Sequence, residues 1–283
     1  MGIDWTAASA AYRRDGAVHI PVLLNAAQLD AARRAWEWSL ANPTRQNAPK
    51  LKRDGGPLFY ADSFHPQVME GYRDMLDASP IPAACARLWG TDPAWFIYEQ
   101  VFLKEGGDTG RTPWHQDGSY IPMDGEDTAV AWITFDPLSK AESLEFVPGS
   151  HLGTVYNTSK FDPKDPTIPH DESLPYPHLP PIEAEREKWE VISWPVAPGD
   201  VIFFHFRTLH GGASTRAGQR RRTLTLRFFG ERTRYDPKTA KALPNFPDMA
   251  TKLKPGDTMR APGFLQVHPK APVKAEAAAG AAL

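Results

Sequence analysis

The chain has 283 residues, 41% of them hydrophobic, and a formal net charge of −2. That length accommodates one large domain with a substantial core, and the near-neutral balance supplies no field to attract nucleic acid or an anionic membrane. A single cysteine, Cys85, excludes an internal disulfide and a cysteine-based zinc site and fits a reducing, cytoplasmic setting.

The N-terminus has neither a basic nor an apolar leader segment, so no signal peptide is expected. Gly2 and Thr6 meet the bare acylation pattern, a short motif often met by chance. Gly16 to Pro21 reads as a short entry strand. A helix comes next, opened by an Asn25/Gln28 capping box, with Leu29, Ala32, Trp36 and Leu40 at helical spacing and Pro43 as its end. Asn47 to Gly56 reads as a polar surface loop. Helices are predicted over Pro66–Leu76 and Pro80–Leu88, the latter with Ser79 at its cap and Gly90 as its stop.

Beyond residue 90 the pattern turns to strands. Trp95–Lys104, Thr128–Phe135, Ser143–Val147, Val191–Trp194, Asp200–Phe206 and Arg221–Phe229 are rich in aromatic and β-branched residues, with turns such as Pro148-Gly149 and Pro198-Gly199 between them. Many strands with such punctuation predict a sandwich or jelly roll, mainly β, braced from outside by the early helices. The expected plan is a helical part at about 25–90, a β core at about 95–230, an extension to 270 and a disordered tail at 271–283. From Pro163 to Pro181 there are seven prolines in nineteen residues, which excludes a helix or central strand. A lid near the active centre is the expectation for that stretch.

Chemistry concentrates in Trp114-His115-Gln116-Asp117. On a strand, His115 and Asp117 would face the same side. His210, beside Gly211 and Gly212 after the apolar run Val201–Phe204, offers a third ligand. Two histidines and one carboxylate form the facial set of non-haem Fe(II) oxygenases, which leaves three positions open. His205 competes with His210, but it lies within the predicted strand, where a satisfied core histidine is the plainer reading. Arg221 opens the next strand, where it could grip a dicarboxylate cosubstrate. Parity puts Arg221, Thr223, Thr225 and Arg227 on one face and Leu224, Leu226 and Phe228 on the other. Arg227 has two readings, a partner for a substrate acid or for an internal carboxylate. Trp132 and Thr134 share one face, as do Tyr98, Gln100, Phe102 and Lys104. An interior lysine at 104 needs a partner.

These segments resemble the phytanoyl-CoA dioxygenase family of Fe(II)/2-oxoglutarate-dependent oxygenases. The resemblance runs from about Gly16 to at least Gly230. It rests on Trp114-His115-Gln116-Asp117, Leu144-Glu145-Phe146-Val147-Pro148-Gly149-Ser150-His151, Pro198-Gly199-Asp200-Val201 leading to His210-Gly211, and Arg221-Arg222-Thr223-Leu224. It implies a double-stranded β-helix, a cupin-like jelly roll, with Fe(II) held by His115, Asp117 and His210. It also implies 2-oxoglutarate anchored by Arg221 with Thr223 assisting, Lys104 and Trp132 beside that cosubstrate, and O2 consumed. Ala141-Glu142-Ser143 stands where the family often has Asn-Gly, a departure that touches a turn. Related halogenases lack the carboxylate that Asp117 supplies, so the resemblance implies hydroxylation of a small or medium organic molecule. Tyr98, Trp114, Tyr120, Tyr176, Arg111 and Arg227 are candidate substrate contacts. A metal hydrolase or isomerase on the same ligands, and a catalytically silent binding module, are the competing readings.

Overall fold

Strands whose two faces are both buried need cover on both sides, and this chain supplies helices for one face and a second sheet for the other. A computed structural model describes residues 2–47, 58–105, 111–159, 168–169, 171–212, 214–215, 218–237, 249–260 and 264–270. The helical side comprises α1 (Trp5–Asp15), α2 (Ala26–Ala41), α3 (Val68–Ala78) and α4 (Ile81–Trp89). The strands are β1 (Ala17–Ile20), β2 (Leu58–Ser63), β3 (Ala94–Glu105), β4 (Thr112–His115), β5 (Met123–Gly125), β6 (Thr128–Thr134), β7 (Leu144–Phe146), β8 (Val201–Phe204), β9 (His210–Gly212), β10 (Arg220–Gly230), β11 (Thr233–Tyr235) and β12 (Leu265–His268).

The large sheet runs β1-β8-β6-β10-β3-β12, with β2 also on β3; a small sheet runs β4-β9-β7, and β5 pairs with β11. All named strand pairs are antiparallel. On β10, Leu224, Leu226 and Phe228 face the helices, in a core with Trp36, Tyr72 and Trp89. The inner core holds Trp132, Ile202, Phe204, Phe146 and Phe229. The expected parity of β10 therefore stands. A bulge in the β3–β10 ladder falls between Arg227 and Phe228 and lets Ile97 and Tyr98 both join the inner core.

The capping box of α2 is present, with Asn25 and Gln28 exchanging side-chain and backbone bonds. Ser79 accepts from the Ile81 amide, and Gly90 stops α4 in the left-handed region. The two predicted helices lie two residues and one residue later than expected. The sequence pattern does not announce helix α1 or strand β2: α1 buries only Ala8 and Tyr12, too little apolar periodicity to read. Val191–Trp194 is no strand of either sheet; Ile192 makes a single bridge to Phe146. Most of the 47–56 loop and all of the 271–283 tail lie outside the described residues. No described helix is long and apolar enough to cross a membrane.

One carboxyl in the helix-side core has a thermodynamic consequence. Glu99 is buried, accepts the His65 amide at 3.0 Å and leaves its other oxygen without a hydrogen-bond partner. Burial pushes its pKa up to about 7, against the smaller opposing pull of the His65 and Glu99 amides. Below the pKa of a free glutamate, folded and unfolded chains are both protonated there. As pH rises from about 4.5 to 7 only the unfolded chain ionises, so the folded state binds more protons and loses stability. Urea melts should therefore show Glu99→Gln stabilising the protein at pH 8 by on the order of 2 kcal/mol and hardly at all at pH 4.5. An equal effect at both pH values would contradict this account.

Candidate metal centre and cosubstrate site

Strand β4 ends at His115, and a 3-10 turn over Asp117–Ser119 begins two residues later. The His-x-Asp pair thus converges through a turn, not through the strand alternation that its spacing suggests. The Gly118 amide donates to the Phe206 carbonyl at 2.8 Å and fixes the turn. His210 opens the short strand β9 and pairs directly with His115 on β4. Close approach there needs Gly211, where an added Cβ would lie 3.2 Å from the Thr112 carbonyl oxygen and 3.3 Å from Trp114.

His115, Asp117 and His210 form a buried cluster whose ligand atoms all lie within 4.8 Å of one another. His115 Nε2 is 3.7 Å and His210 Nε2 3.9 Å from Asp117 Oδ1. The other ring nitrogens decide the tautomers. His115 Nδ1 is 2.8 Å from the Pro113 carbonyl oxygen, and His210 Nδ1 is 2.9 Å from that of Thr208. A carbonyl only accepts, so each Nδ1 carries the proton and each Nε2 keeps its lone pair for an ion. Burial keeps both rings neutral: it pushes His210 down to about 3 and lowers His115. Asp117 is the opposite case. Burial would raise its pKa, but the Arg227 charge, followed by the two imidazoles and the Tyr120 hydroxyl, holds it well below the usual carboxylate range. Two neutral imidazoles and one fully ionised carboxylate suit a divalent iron. His205 sits apart, its Nε2 bonded to the Gly125 carbonyl at 2.9 Å and its Nδ1 accepting the Arg207 amide.

Arg227, a candidate substrate contact, has the second of its two expected roles. Its Nε and Nη2 donate to Asp117 Oδ2 at 2.9 and 2.8 Å, Nη2 also donates to Gln100 Oε1 at 3.0 Å, and the guanidinium lies 4.5 Å from the centre of the Tyr98 ring. Tyr120 donates its hydroxyl to Asp117 Oδ1. Both residues, with Tyr98, support the ligand carboxylate. Trp114 turns outward: its indole donates to Glu183 at 3.1 Å and packs with Val147, Leu179, Ile182 and Leu209. Of the 163–181 stretch expected to form a lid, Leu179 joins this cluster. Residues 179–191 pack on the face of the small sheet that turns away from His210, clasped by Arg186 and Arg111 on Glu145. Residues 160–167 and 170 lie outside the described residues.

The second half of the site is cationic. Arg221 on β10 stands in register with Lys104 on β3, and both are buried. The Arg221 guanidinium lies 5.7 Å from the centre of the Trp132 ring and donates to the Glu142 carbonyl at 3.1 Å. Lys104 sits 5.0 Å from the Phe59 ring. Burial pushes Lys104 down to about 7, helped by Arg221 and Arg111, and pushes Arg221 down to about 10 against the pull of Glu142. Thr223 is buried two residues along the same face, beside Thr134 and Phe102. Two buried cations facing each other repel, and a carboxylate between them would stabilise both. Spacing places Gln100 only on a shared face with Tyr98 and Lys104; its bond to Arg227 is a tertiary contact that spacing does not reveal.

Comparison with known proteins agrees with this geometry. A curated relative, the probable alpha-ketoglutarate-dependent hypophosphite dioxygenase of Stutzerimonas stutzeri, is 31% identical over 119 residues; the match covers 40% of this chain and spans only 37% of that protein. Among solved structures, the non-haem alpha-ketoglutarate-dependent epimerase SnoN from nogalamycin biosynthesis shares the fold with a TM-score of 0.66 at 22% identity, over 94% of this chain and 97% of its own. The carbocyclase SnoK from the same biosynthesis gives 0.62 at 22% identity, over 92% and 95%. The phytanoyl-CoA dioxygenase family model matches residues 12–223. Spanning most of the chain and both halves of the site, that match shows that the chain belongs to the phytanoyl-CoA dioxygenase family.

Proposed function

We propose that this protein is an Fe(II)- and 2-oxoglutarate-dependent dioxygenase that hydroxylates an organic substrate. The observation that carries the reading is the joint presence, on the inner side of one sandwich, of the His115–Asp117–His210 cluster and the opposed Arg221–Lys104 pair. A hydrolase or isomerase on the same ligands has no use for the second. Iron, when bound, supplies the redox centre at which 2-oxoglutarate is decarboxylated to succinate and CO2, one atom of O2 entering succinate and one the substrate.

The chain's own residues position and insulate. His115 and His210 present lone pairs whose direction the Pro113 and Thr208 carbonyls set. Arg227 occupies Asp117 Oδ2 and leaves Oδ1 turned toward the imidazoles. Arg221, with Lys104 and Thr223, holds the distal carboxylate of the cosubstrate, while Trp132 supports the Arg221 plane. The carboxylate of Asp117 fills the third protein position, which favours hydroxylation over halogenation. The epimerase and carbocyclase neighbours share the fold, and epimerisation and ring closure are alternative fates of the same oxidised carbon–hydrogen bond.

Anaerobic titration with Fe(II) and then 2-oxoglutarate should give the weak visible absorption of a chelated cosubstrate, and admission of air should release succinate. Substrate turnover without O2 and 2-oxoglutarate would overturn the reading in favour of the hydrolase. Arg221→Ala should raise the KM for 2-oxoglutarate by about a hundredfold, the loss of a charge-assisted bidentate contact, and change iron affinity far less. Equal loss of both would count against the assigned role. Lys104 adds a pH dependence. Protonated below about pH 7, it favours the dianion; as pH rises through 7 the proton must be recruited on binding, so 2-oxoglutarate affinity should fall. Lys104→Met should bind weakly with that slope removed, as read by titration between pH 6 and 9.

A further inference from the structure

The inner face of the large sheet carries an accessible strip on β2 and β3. On β6, β8 and β10 the inward residues Trp132, Ile202, Phe204, Thr223 and Thr225 are buried. On β2 and β3, Phe59, Ala61, Ser63, Gln100 and Phe102 are accessible, Phe59 to 53%. The register pairs Phe59 with Lys104, Ala61 with Phe102 and Ser63 with Gln100. Cross-strand partners share a face, so these side chains form one continuous surface. It begins beside the cosubstrate cations and ends where Gln100 meets Arg227, the residue that holds Asp117.

Two details give the strip a chemistry. Arginine only donates, so the Arg227 bond to Gln100 Oε1 fixes the amide and turns its NH2 away from Arg227. Ser63 places its hydroxyl opposite. Beyond Ser63 the backbone is strained: Phe64 has φ 60°, and the next amide, His65, donates to Glu99 on the other side of the sheet. The Phe64 ring lies on the inner side, its centre 4.0 Å from that of Tyr98. None of the five strip residues, nor Phe64, is charged. Of the cations that border them, Arg227 is engaged by Asp117, and the Lys104–Arg221 pair is the place proposed above for the cosubstrate carboxylate.

We propose that this strip is the substrate platform and that it takes an uncharged, oxygen-bearing organic molecule with a flat apolar face. The oxygen is held by the Gln100 amide N–H and the Ser63 hydroxyl, and the apolar face lies on Phe102 between Phe59 and Phe64. Four residues separate Phe59 from Phe64, and the strand from Phe59 to Ser63 alone spans about 13 Å, room for a multi-ring molecule and far more than a small oxyanion requires. The inference rests on the reading of the site as an Fe(II)/2-oxoglutarate centre and adds the substrate class.

The test is anaerobic titration of the Fe(II)/2-oxoglutarate holoenzyme with two neutral probes, naringenin and 4-chromanone, and two anions, benzoate and hypophosphite. Perturbation of the visible band is the readout. The neutral probes should bind and the anions should not. Ser63→Ala, which leaves the Gln100–Arg227–Asp117 contacts in place, should weaken the neutral probes about tenfold, as for one lost hydrogen bond, and shift 2-oxoglutarate affinity less than about threefold. Ser63→Trp, at an accessible edge position that tolerates bulk, should abolish probe binding while the 2-oxoglutarate band persists. Binding of hypophosphite in place of the neutral probes, no neutral probe bound, or equal loss of 2-oxoglutarate in the variants would overturn the platform and leave the cosubstrate reading intact. Failure of 2-oxoglutarate to give a band in the wild-type protein would overturn both.

Discussion

The buried ion pair between Arg227 and Asp117 is the constraint on which the site depends. Asp117 has no exposed surface, and a lone carboxylate there would take up a proton and cease to be an anionic ligand. Two donors from one guanidinium keep it ionised and occupy the oxygen that turns away from the imidazoles. Breaking such a pair from one side leaves a stranded charge, a loss of about 3–5 kcal/mol in buried pairs generally. The guanidinium is itself over-determined, stacked on Tyr98 and bonded to Gln100 and Thr225. Metal ligand, aromatic wall and strip amide are therefore one rigid assembly.

Strand β10 is what joins that assembly to the cosubstrate end. Arg221, Thr223, Thr225 and Arg227 fall on its inner face by alternation alone, while Leu224, Leu226 and Phe228 seal the outer face against the helices. A polar row of this kind inside a sandwich is costly unless each group is satisfied. Thr225 donates to the Gln100 carbonyl and Arg227 to Asp117; Arg221 keeps a backbone partner in Glu142. One strand thus carries Arg227, bonded to Asp117, towards one end and Arg221, opposite Lys104, at the other, and their relative placement is set by strand geometry.

The parts legible in the sequence are those encoded by local period and by motif. The parity of β10, the α2 capping box and the candidate ligands His115, Asp117 and His210, which do cluster, all belong to that class. Spacing brings Asp117 to His115 for an incomplete reason, since their convergence comes from a 3-10 turn pinned by Phe206. The role of Arg227 could not be chosen between two carboxylates because its partner is 110 residues away. Trp114 looks like a pocket aromatic, yet alternation from His115 sends it outward to Glu183. Strand β2 escapes notice because only Leu58, Tyr60 and Asp62 of its six residues are buried, and Asp62 breaks the apolar alternation.

The motifs outside the triad have a mechanical explanation in placing His210. Ser150 donates to the Val147 carbonyl and accepts the Leu209 amide, and Gly149, at φ 73°, bonds the end of α1 through the Asp15 carbonyl. The residue before His210 is thereby fastened to β7. At the other end of the same chain segment, Asp200 accepts from the Val22 and Ala197 amides and meets His19 at 3.0 Å, anchoring β8 to β1. Between these two anchors lies the 201–209 segment that delivers His210 opposite His115. A loose β8–β9 connection would let the Nε2 lone pair wander. Fixing both ends converts a short strand of three residues, too small to hold a ligand by its own ladder, into a rigid one.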